Sequence, residues 1–286
     1  MSATMRDSFA NLLERFRVAV AGDKNNVPLA HAALLIAEAE TPGLNLDRYD
    51  AQLDEWGRTL EKRLYPAAEP QGLLEVVNSM LFEELGFRGN QDEYSDPRNL
   101  LLNEVMDRRV GIPVSLAIIA TDICQRAGVG LRAVGLPGHV VIRLDVEGKE
   151  PLFSDVFHGG AQRSIEDLQQ IMRSIYGRQT PFKEYFLDPL TSRQILQRLL
   201  HNLKGGALRR GDEEQAERAI ELLLIMFPWD LDEIRDRGRL RERSGNYAAA
   251  LADLEIYVQF RPDARDTATV AEAAESLRRH ISTEAS

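Results

Sequence analysis

Two histidines and an aspartate in the middle of the chain carry side chains suited to acid–base chemistry. His139 begins the apolar run HVVIRLDV, Asp155 follows 16 residues later, and His158 is three residues beyond it. A carboxylate on one strand can orient an imidazole on a neighbouring strand, as nucleophile–His–Asp triads require. The spacing therefore predicts a His139–Asp155 pair, which we interpret as a structural remnant of an active centre rather than a working one.

The apolar segment before this pair holds two residues that would supply a nucleophile. Ser115 lies in the first turn of a helix predicted to begin near Pro113, where unpaired N–H groups concentrate partial positive charge. If His139 oriented it, Ser115 would act as a nucleophile. We favour the interpretation that its hydroxyl hydrogen-bonds nearby backbone groups. Cys124 lies 11 residues after Pro113, which is roughly 16 Å along the helix axis, so we interpret it as a core residue.

A bound metal is an alternative role for the same polar residues. His139, Asp155 and His158 would offer three nitrogen or oxygen ligands on two segments. Their spacing is not tight enough to favour that role, so the sequence predicts no metal. It also predicts no cofactor, because the glycines between 128 and 138 lack the spacing and the trailing helix of a phosphate-binding loop.

The elements that must position these residues are a helix and several short strands. The apolar run 114–127 predicts a buried helix, which Gly128 ends. Two runs rich in β-branched residues, 129–134 and 139–146, predict strands, and 151–156 is a third candidate. A helix followed by antiparallel strands is typical of an α+β domain.

The last hundred residues contain an internal repeat. Three pairs of residues keep a spacing of 34: Gly211 and Gly245, Ala216 and Ala250, and Pro228 and Pro262. This period matches the tetratricopeptide helix-turn-helix unit, although a generic pair of helical hairpins remains the alternative. Asp212 and Asn246 are predicted to cap the second helix of each unit. Since two units leave an apolar face uncovered, we expect a final helix at 264–281, or the preceding domain, to cover it.

Arginines crowd the first helix of the second repeat. They stand at every second position: Arg235, Arg237, Arg239, Arg241 and Arg243. They would suit an acidic partner peptide. Because Glu233, Asp236 and Glu242 interleave with them, we favour a solvated face of mixed charge.

Composition excludes several classes of function. The 45 acidic residues outnumber the 35 Lys and Arg, so the net charge of −10 argues against general nucleic-acid binding. A single cysteine excludes intrachain disulfides. The run 110–121, the longest uncharged run in the middle of the chain, is too short to cross a membrane, and the first residues lack the apolar core of a signal peptide. We therefore expect a soluble, cytoplasmic protein without membrane association.

Several motifs together resemble the SirB branch of the transglutaminase-like proteins. They are GFRGN (86–90), YSDP (94–97), RRVGIPVSLA (108–117), LPGHVVIRL (136–144) and SDVFHGG (154–160). The resemblance implies a papain-like transglutaminase core, with a buried helix on a small antiparallel sheet, followed by tetratricopeptide-like helices. In active members of the superfamily a cysteine opens the buried helix. The resemblance places that position at Pro113, so the cysteine does not carry over, whereas His139 and Asp155 do.

We therefore expect three parts: N-terminal helices at 1–66, a transglutaminase-like core at 67–188, and tetratricopeptide-like repeats at 189–286. The function expected is that of a non-catalytic interaction or regulatory module, which binds a protein or peptide partner through its repeats. The alternative is a hydrolase or acyltransferase that lacks the cysteine and uses Ser115, His139 and Asp155, with the helix N-terminus supplying an oxyanion site. A further alternative is that the repeats alone act and the core is a scaffold. The sequence predicts no oligomeric state.

Overall fold

The computed structural model describes residues 3–22, 27–64 and 69–284. The chain divides into two compact units, Met1–Asn202 and Leu203–Ser286. The predicted boundary at residue 66 lies outside the described residues, and the three-part division of the chain stays a prediction.

Helices make up most of the first unit. In chain order they are α1 (Ala3–Val20), α2 (Leu29–Glu40), α3 (Leu46–Leu64), α4 (Pro70–Asn78), α5 (Leu102–Arg108), α6 (Pro113–Arg126), α7 (Ile165–Tyr176) and α8 (Ser192–Arg210), of which α8 continues into the second unit. A π-helical turn, Ser79–Glu84, follows α4 directly. Before α5, Pro97–Asn99 forms a separate 3₁₀ turn capped by the Asp96 side chain.

The strands form two small sheets. They are β1 (Arg88–Gly89), β2 (Val110–Gly111), β3 (Leu131–Leu136), β4 (His139–Leu144), β5 (Leu152–Asp155) and β6 (Ala161–Arg163). Strands β1 and β2 pair in parallel, whereas β3 to β6 form an antiparallel meander in chain order. The β3–β4 register places Leu136 opposite His139 across the turn. The meander confirms the predicted α+β class, and β6 is a strand that the sequence did not predict.

Helix α6 is the centre of the first unit because nine of its fourteen residues are apolar. Every residue from Pro113 to Cys124 is buried, and the helix packs against β3, β4 and α3. Pro113 stands at the first helical position, where its missing N–H costs no hydrogen bond. The other core cluster of the sheet joins Val134, Val141 and Phe153 to Leu168 of α7. The sheet is therefore held between two helical layers.

The second unit consists of helices from the C-terminal part of α8 onward. They are α9 (Glu213–Met226), α10 (Leu231–Arg243), α11 (Tyr247–Phe260) and α12 (Thr267–Glu284). Gly211 and Gly245 adopt positive φ angles of 74° and 79° at equivalent turns, which glycine adopts without strain. A core cluster joins α11 to α12, so the final helix covers the repeat as expected.

The two predicted helix caps have different outcomes. The Asp212 side chain accepts a hydrogen bond from Gln215 N at 2.9 Å, which confirms it as the cap of α9. Asn246 stands at the corresponding position before α11, but its side chain makes no capping hydrogen bond. The prediction for Asn246 is therefore wrong. The α11 N-terminus depends on packing instead, since Ala250 is fully buried one turn into the helix.

Candidate functional site

At the start of α6, the Ser115 side chain is hydrogen-bonded to backbone groups. Its hydroxyl donates to Asn99 O at 2.6 Å and accepts from Ile112 N at 3.1 Å. The side chain is fully buried, and Gly111 lies so close that an added Cβ would sit 2.7 Å from its Oγ. The hydrogen-bond partners of Ser115 are backbone groups and do not include His139, so the described residues do not form the Ser115–His139–Asp155 geometry of the alternative enzyme.

His139, Asp155 and His158 lie together at the end of the sheet. His139 opens β4 and Asp155 closes β5, so the antiparallel register brings both to the same edge. His139 Nε2 lies 3.1 Å from Asp155 Oδ1, and His158 Nδ1 lies 2.8 Å from Asp155 Oδ2. The structure therefore brings together the predicted pair and adds His158 on the other carboxylate oxygen. Whether His139, Asp155 and Ser115 are remnants of an active centre stays a prediction.

The carboxylate of Asp155 is ionised in these surroundings. Burial by itself raises the pKa of Asp155, but hydrogen bonds and charge from His139 and His158 outweigh it and lower the pKa to about 2. Phe157 N donates a further hydrogen bond to Oδ1 at 3.1 Å, and Arg163 Nε lies 3.5 Å from Oδ2. Since an ionised carboxylate only accepts, both ring nitrogens that face Asp155 carry protons in this arrangement.

The segment after Asp155 is fixed from several sides. Asn78 Nδ2 donates to Gly160 O at 2.9 Å, and Ser154 Oγ donates to Asn78 Oδ1 at 3.1 Å. Strand β1 approaches the segment closely, because a Cβ added to Gly89 would lie 2.4 Å from Phe157 O. The end of α4 and the first sheet therefore hold the turn that carries His158.

An open cavity of about 500 Å³ borders the exposed side of His158. Its lining includes Asn90 and Asp92 from the loop after β1, together with Phe157. The His158 side chain is 44% exposed, whereas that of His139 is 8% exposed. Solvent therefore reaches the cluster from the His158 side.

Arg198 of α8 fixes the turn that presents His139. Its Nη2 donates to Leu136 O at 2.6 Å and to His139 O at 3.0 Å. Gly135 gives the guanidinium room, because an added Cβ would lie 2.8 Å from Arg198 Nη1. Burial lowers the pKa of Arg198. Sequence reasoning missed this residue, since it lies about 60 positions from the turn and no local pattern marks it.

Two other residues that bear on the site were also missed. Asn99 is fully buried; its side chain donates to Glu93 O at 2.8 Å and accepts from Asn90 Nδ2 at 3.0 Å, which orders the loop that holds Ser115. Tyr94 packs edge-on against Phe157. The YSDP motif and the Asn99 that follows Arg98 were the available signals, because a turn that is rich in Asn and Asp commonly orders itself with side-chain hydrogen bonds.

Cys124 is a core residue, as predicted. It is fully buried, and burial raises the pKa of its thiol to about 12. A thiol with so high a pKa holds almost no thiolate at neutral pH, and the thiolate is the nucleophile.

The arginines of α10 are paired within the second unit. Arg237 contacts Asp253 through both Nε and Nη2, at 2.9 and 2.7 Å, and Arg241 contacts Glu217, Glu221 and Asp253. The remaining three arginines also have acidic partners: Arg235, Arg239 and Arg243. The mixed charge is as expected, but the face is less solvated than expected, because Arg237 and Arg241 are only 18% and 19% exposed. The five arginines are paired, so they are not free for an acidic peptide.

An exposed aromatic pair stands at the edge of the repeats. Trp229 is 73% exposed and Phe260 is 53% exposed, and their rings meet edge-to-face with centroids 5.9 Å apart. Trp229 precedes α10, and Phe260 ends α11. Two large exposed rings in contact form an apolar patch of the kind found at protein interfaces.

Comparison with known families defines the class of this protein. Residues 47–201 match the family described as transglutaminase-like superfamily, and residues 203–275 match tetratricopeptide repeat. The fold and these matches define a transglutaminase-like domain followed by tetratricopeptide repeats. No helix in the described part of the chain is both long and apolar enough to span a membrane.

Curated relatives narrow the class to one family. A UPF0162 protein of Xylella fastidiosa (strain Temecula1) is 35% identical over 243 residues, which cover 84% of this chain and 86% of the relative. A UPF0162 protein of Vibrio cholerae is 27% identical over 84% of this chain and 89% of its own length. The chain belongs to the UPF0162 family within the transglutaminase-like superfamily. Among solved structures, menin aligns with 87% of this chain and 69% of its own, at 15% identity and a TM-score of 0.42.

Proposed function

We propose that this protein is a non-catalytic transglutaminase-like protein of the SirB branch that acts in the cytoplasm as an interaction or regulatory module. The proposal keeps the division into N-terminal helices, core and repeats at residues 66 and 188. A protein or peptide partner binds through the repeats. The observation that carries the proposal is the hydrogen bonding of Ser115, whose hydroxyl is used by Asn99 O and Ile112 N.

The start of α6 lacks a group that His139 would activate. Proline occupies position 113, where the resemblance to active transglutaminases places a cysteine. Cys124 is on the same helix, but its thiol is buried and protonated. An activated nucleophile must lie within hydrogen-bond reach of its base, and the Ser115 hydroxyl is instead hydrogen-bonded to backbone groups.

The exposed aromatic pair supports binding through the repeats. Trp229 and Phe260 would bury apolar area against a partner, and aromatic residues commonly dominate the energy of such interfaces. The arginines of α10 are already neutralised within the unit. We therefore propose that the partner contributes an apolar side chain to this patch rather than an acidic peptide to α10.

Labelling with electrophiles tests the absence of catalysis. We expect a fluorophosphonate probe and a fluorescent amine with a glutamine donor to label the wild type no more than Ser115→Ala or His139→Ala. Labelling or turnover that disappears in either variant would assign the hydrolase or acyltransferase role and overturn the proposal.

Capture experiments test the role of the repeats. We expect the double variant Trp229→Ala/Phe260→Ala to lose a partner that cross-links to the wild type. Leu208→Ala, which removes another exposed apolar side chain of the second unit, is the matched control and should retain it. If the double variant and the control retain the partner equally, the patch is not the binding surface.

A further inference from the structure

We propose that His139, Asp155 and His158 form a binding site for one divalent transition ion of the Zn²⁺ class, contrary to our expectation from the sequence. The two ring nitrogens and one carboxylate oxygen lie within 4.8 Å of one another. The proposal concerns metal binding, and it holds or fails independently of the proposed function.

The donor set fits this class of ion. Imidazole nitrogen and carboxylate oxygen are common zinc ligands, at about 2.0–2.2 Å from the metal. Ligand atoms around a tetrahedral ion at that distance are separated by roughly 3.3 Å. The two Asp155–histidine separations, 3.1 and 2.8 Å, are close to that value but run to different carboxylate oxygens. The set that shares one oxygen lies within 4.8 Å, so the rings would have to turn toward that oxygen to admit the ion.

The three ligand residues differ in how deeply they are buried. His139 and Asp155 are buried on adjacent strands, so two ligands are fixed before the ion arrives. His158 lies in a short 3₁₀ turn that ends at Gly159, with φ of 65°, and its exposed side chain borders the open cavity. The backbone of this turn is held by neighbouring segments, so His158 would adjust to the ion by rotation of its exposed side chain, and solvent can fill a fourth position.

The groups around the site carry opposing charges. Asp155 would supply a carboxylate oxygen and one negative charge to the ion. Arg163 opposes a cation, since its Nε lies 3.5 Å from Asp155 Oδ2. Each ring nitrogen that faces Asp155 now donates a proton to a hydrogen bond with the carboxylate; on metal binding that proton leaves, either to water or by exchange with water to the opposite ring nitrogen, so that a lone pair faces the ion. Protonation of the rings at acid pH therefore competes with the metal.

Titration of the full chain with Zn²⁺ tests the site. We expect one Zn²⁺ per chain by calorimetry with a Kd below about 0.1 mM, and visible absorption when Co²⁺ replaces it. His158→Gln should weaken binding by about tenfold or more, as should the nearly isosteric Asp155→Asn. Circular dichroism checks that each variant is folded, and His158, being exposed, is the safer of the two substitutions.

The matched control removes a histidine elsewhere. His280→Gln lies on α12 in the second unit and should bind Zn²⁺ like the wild type. Affinity should also fall as the pH is lowered through the range in which histidine is protonated. The proposal is overturned if the wild type takes up no Zn²⁺ in this range, or if His158→Gln and His280→Gln bind it equally. The latter result would place the metal on another surface.

Discussion

At the scale of single residues, Asp155 organises the candidate site. Its two oxygens face different histidines, and the backbone N–H of Phe157 adds a third donor. A fully buried carboxylate is stable only when such partners compensate for its lost hydration. The lowered pKa is the electrostatic result of this arrangement, so Asp155 should contribute to stability in a pH-dependent way.

Asp155→Asn tests that contribution. The substitution keeps the shape but replaces one acceptor with an amide donor, so we expect a loss of about 2–3 kcal/mol in the free energy of unfolding at neutral pH. The folded pKa, about 2, lies below the ordinary 3.8. The stabilisation is therefore fully present above pH 3.8 and is lost as the pH falls toward 2. Urea unfolding at several pH values measures it; a difference between wild type and variant that stays constant through this range would contradict the assignment.

The sequence predicted the His139–Asp155 pair but not the partner of Ser115. Two strands with a turn between them bring His139 and Asp155 together by local pairing alone. The contact of Ser115 with Asn99 O depends on a loop 16 residues earlier, which Asn90 and Glu93 hold in place. Such a contact arises from tertiary packing, and the residue spacing within α6 does not predict it.

At the scale of secondary-structure elements, α8 positions the β3–β4 turn through Arg198. One guanidinium nitrogen donates hydrogen bonds to two carbonyl oxygens, those of Leu136 and His139, which lie on either side of the turn. The β3–β4 pairing extends to Leu136 and His139, so the guanidinium adds a contact at the residues that flank the turn. The helix therefore determines the conformation of the turn from outside the sheet.

Arg198→Lys should loosen this turn. A lysine ammonium lacks the planar fork of arginine, so we expect it to lose one carbonyl, at a cost of about 1 kcal/mol. Hydrogen exchange of the β3–β4 hairpin amides should become faster, whereas α6 should change little. Arg209→Lys, an exposed substitution on the same helix, is the control. Equal exchange rates in the two variants would show that the turn does not depend on the hydrogen bonds of Arg198.

The elements were predictable in proportion to their length and periodicity. The apolar run of α6 and the β-branched runs of β3 and β4 indicated their structure directly. Strand β6 contains only AQR after two glycines, too short and too polar to show an alternating pattern. Strands β1 and β2 are two residues each, too short to show any pattern, and Gly89 and Gly111 instead make room for Phe157 and Ser115.

At the scale of the whole molecule, each unit has its own stabilising centre. The first unit packs around α6 and the sheet, whereas the second has apolar clusters between its own helices. Asp253 of α11 is the charged centre of the second unit, because its side chain is 4% exposed and accepts from Arg237 and Arg241. The continuity of α8 does not by itself couple the units, since most helical stability comes from packed side chains.

We therefore expect calorimetry of the full chain to resolve two unfolding transitions. Asp253→Asn leaves two guanidinium groups without their shared carboxylate, which should cost about 3 kcal/mol and lower only the transition of the second unit. Asp155→Asn should lower only the other transition. Trp56 is buried in the first unit, so its fluorescence in a Trp229→Phe background identifies that transition. A single transition that both variants lower together would show that the two units unfold as one cooperative body.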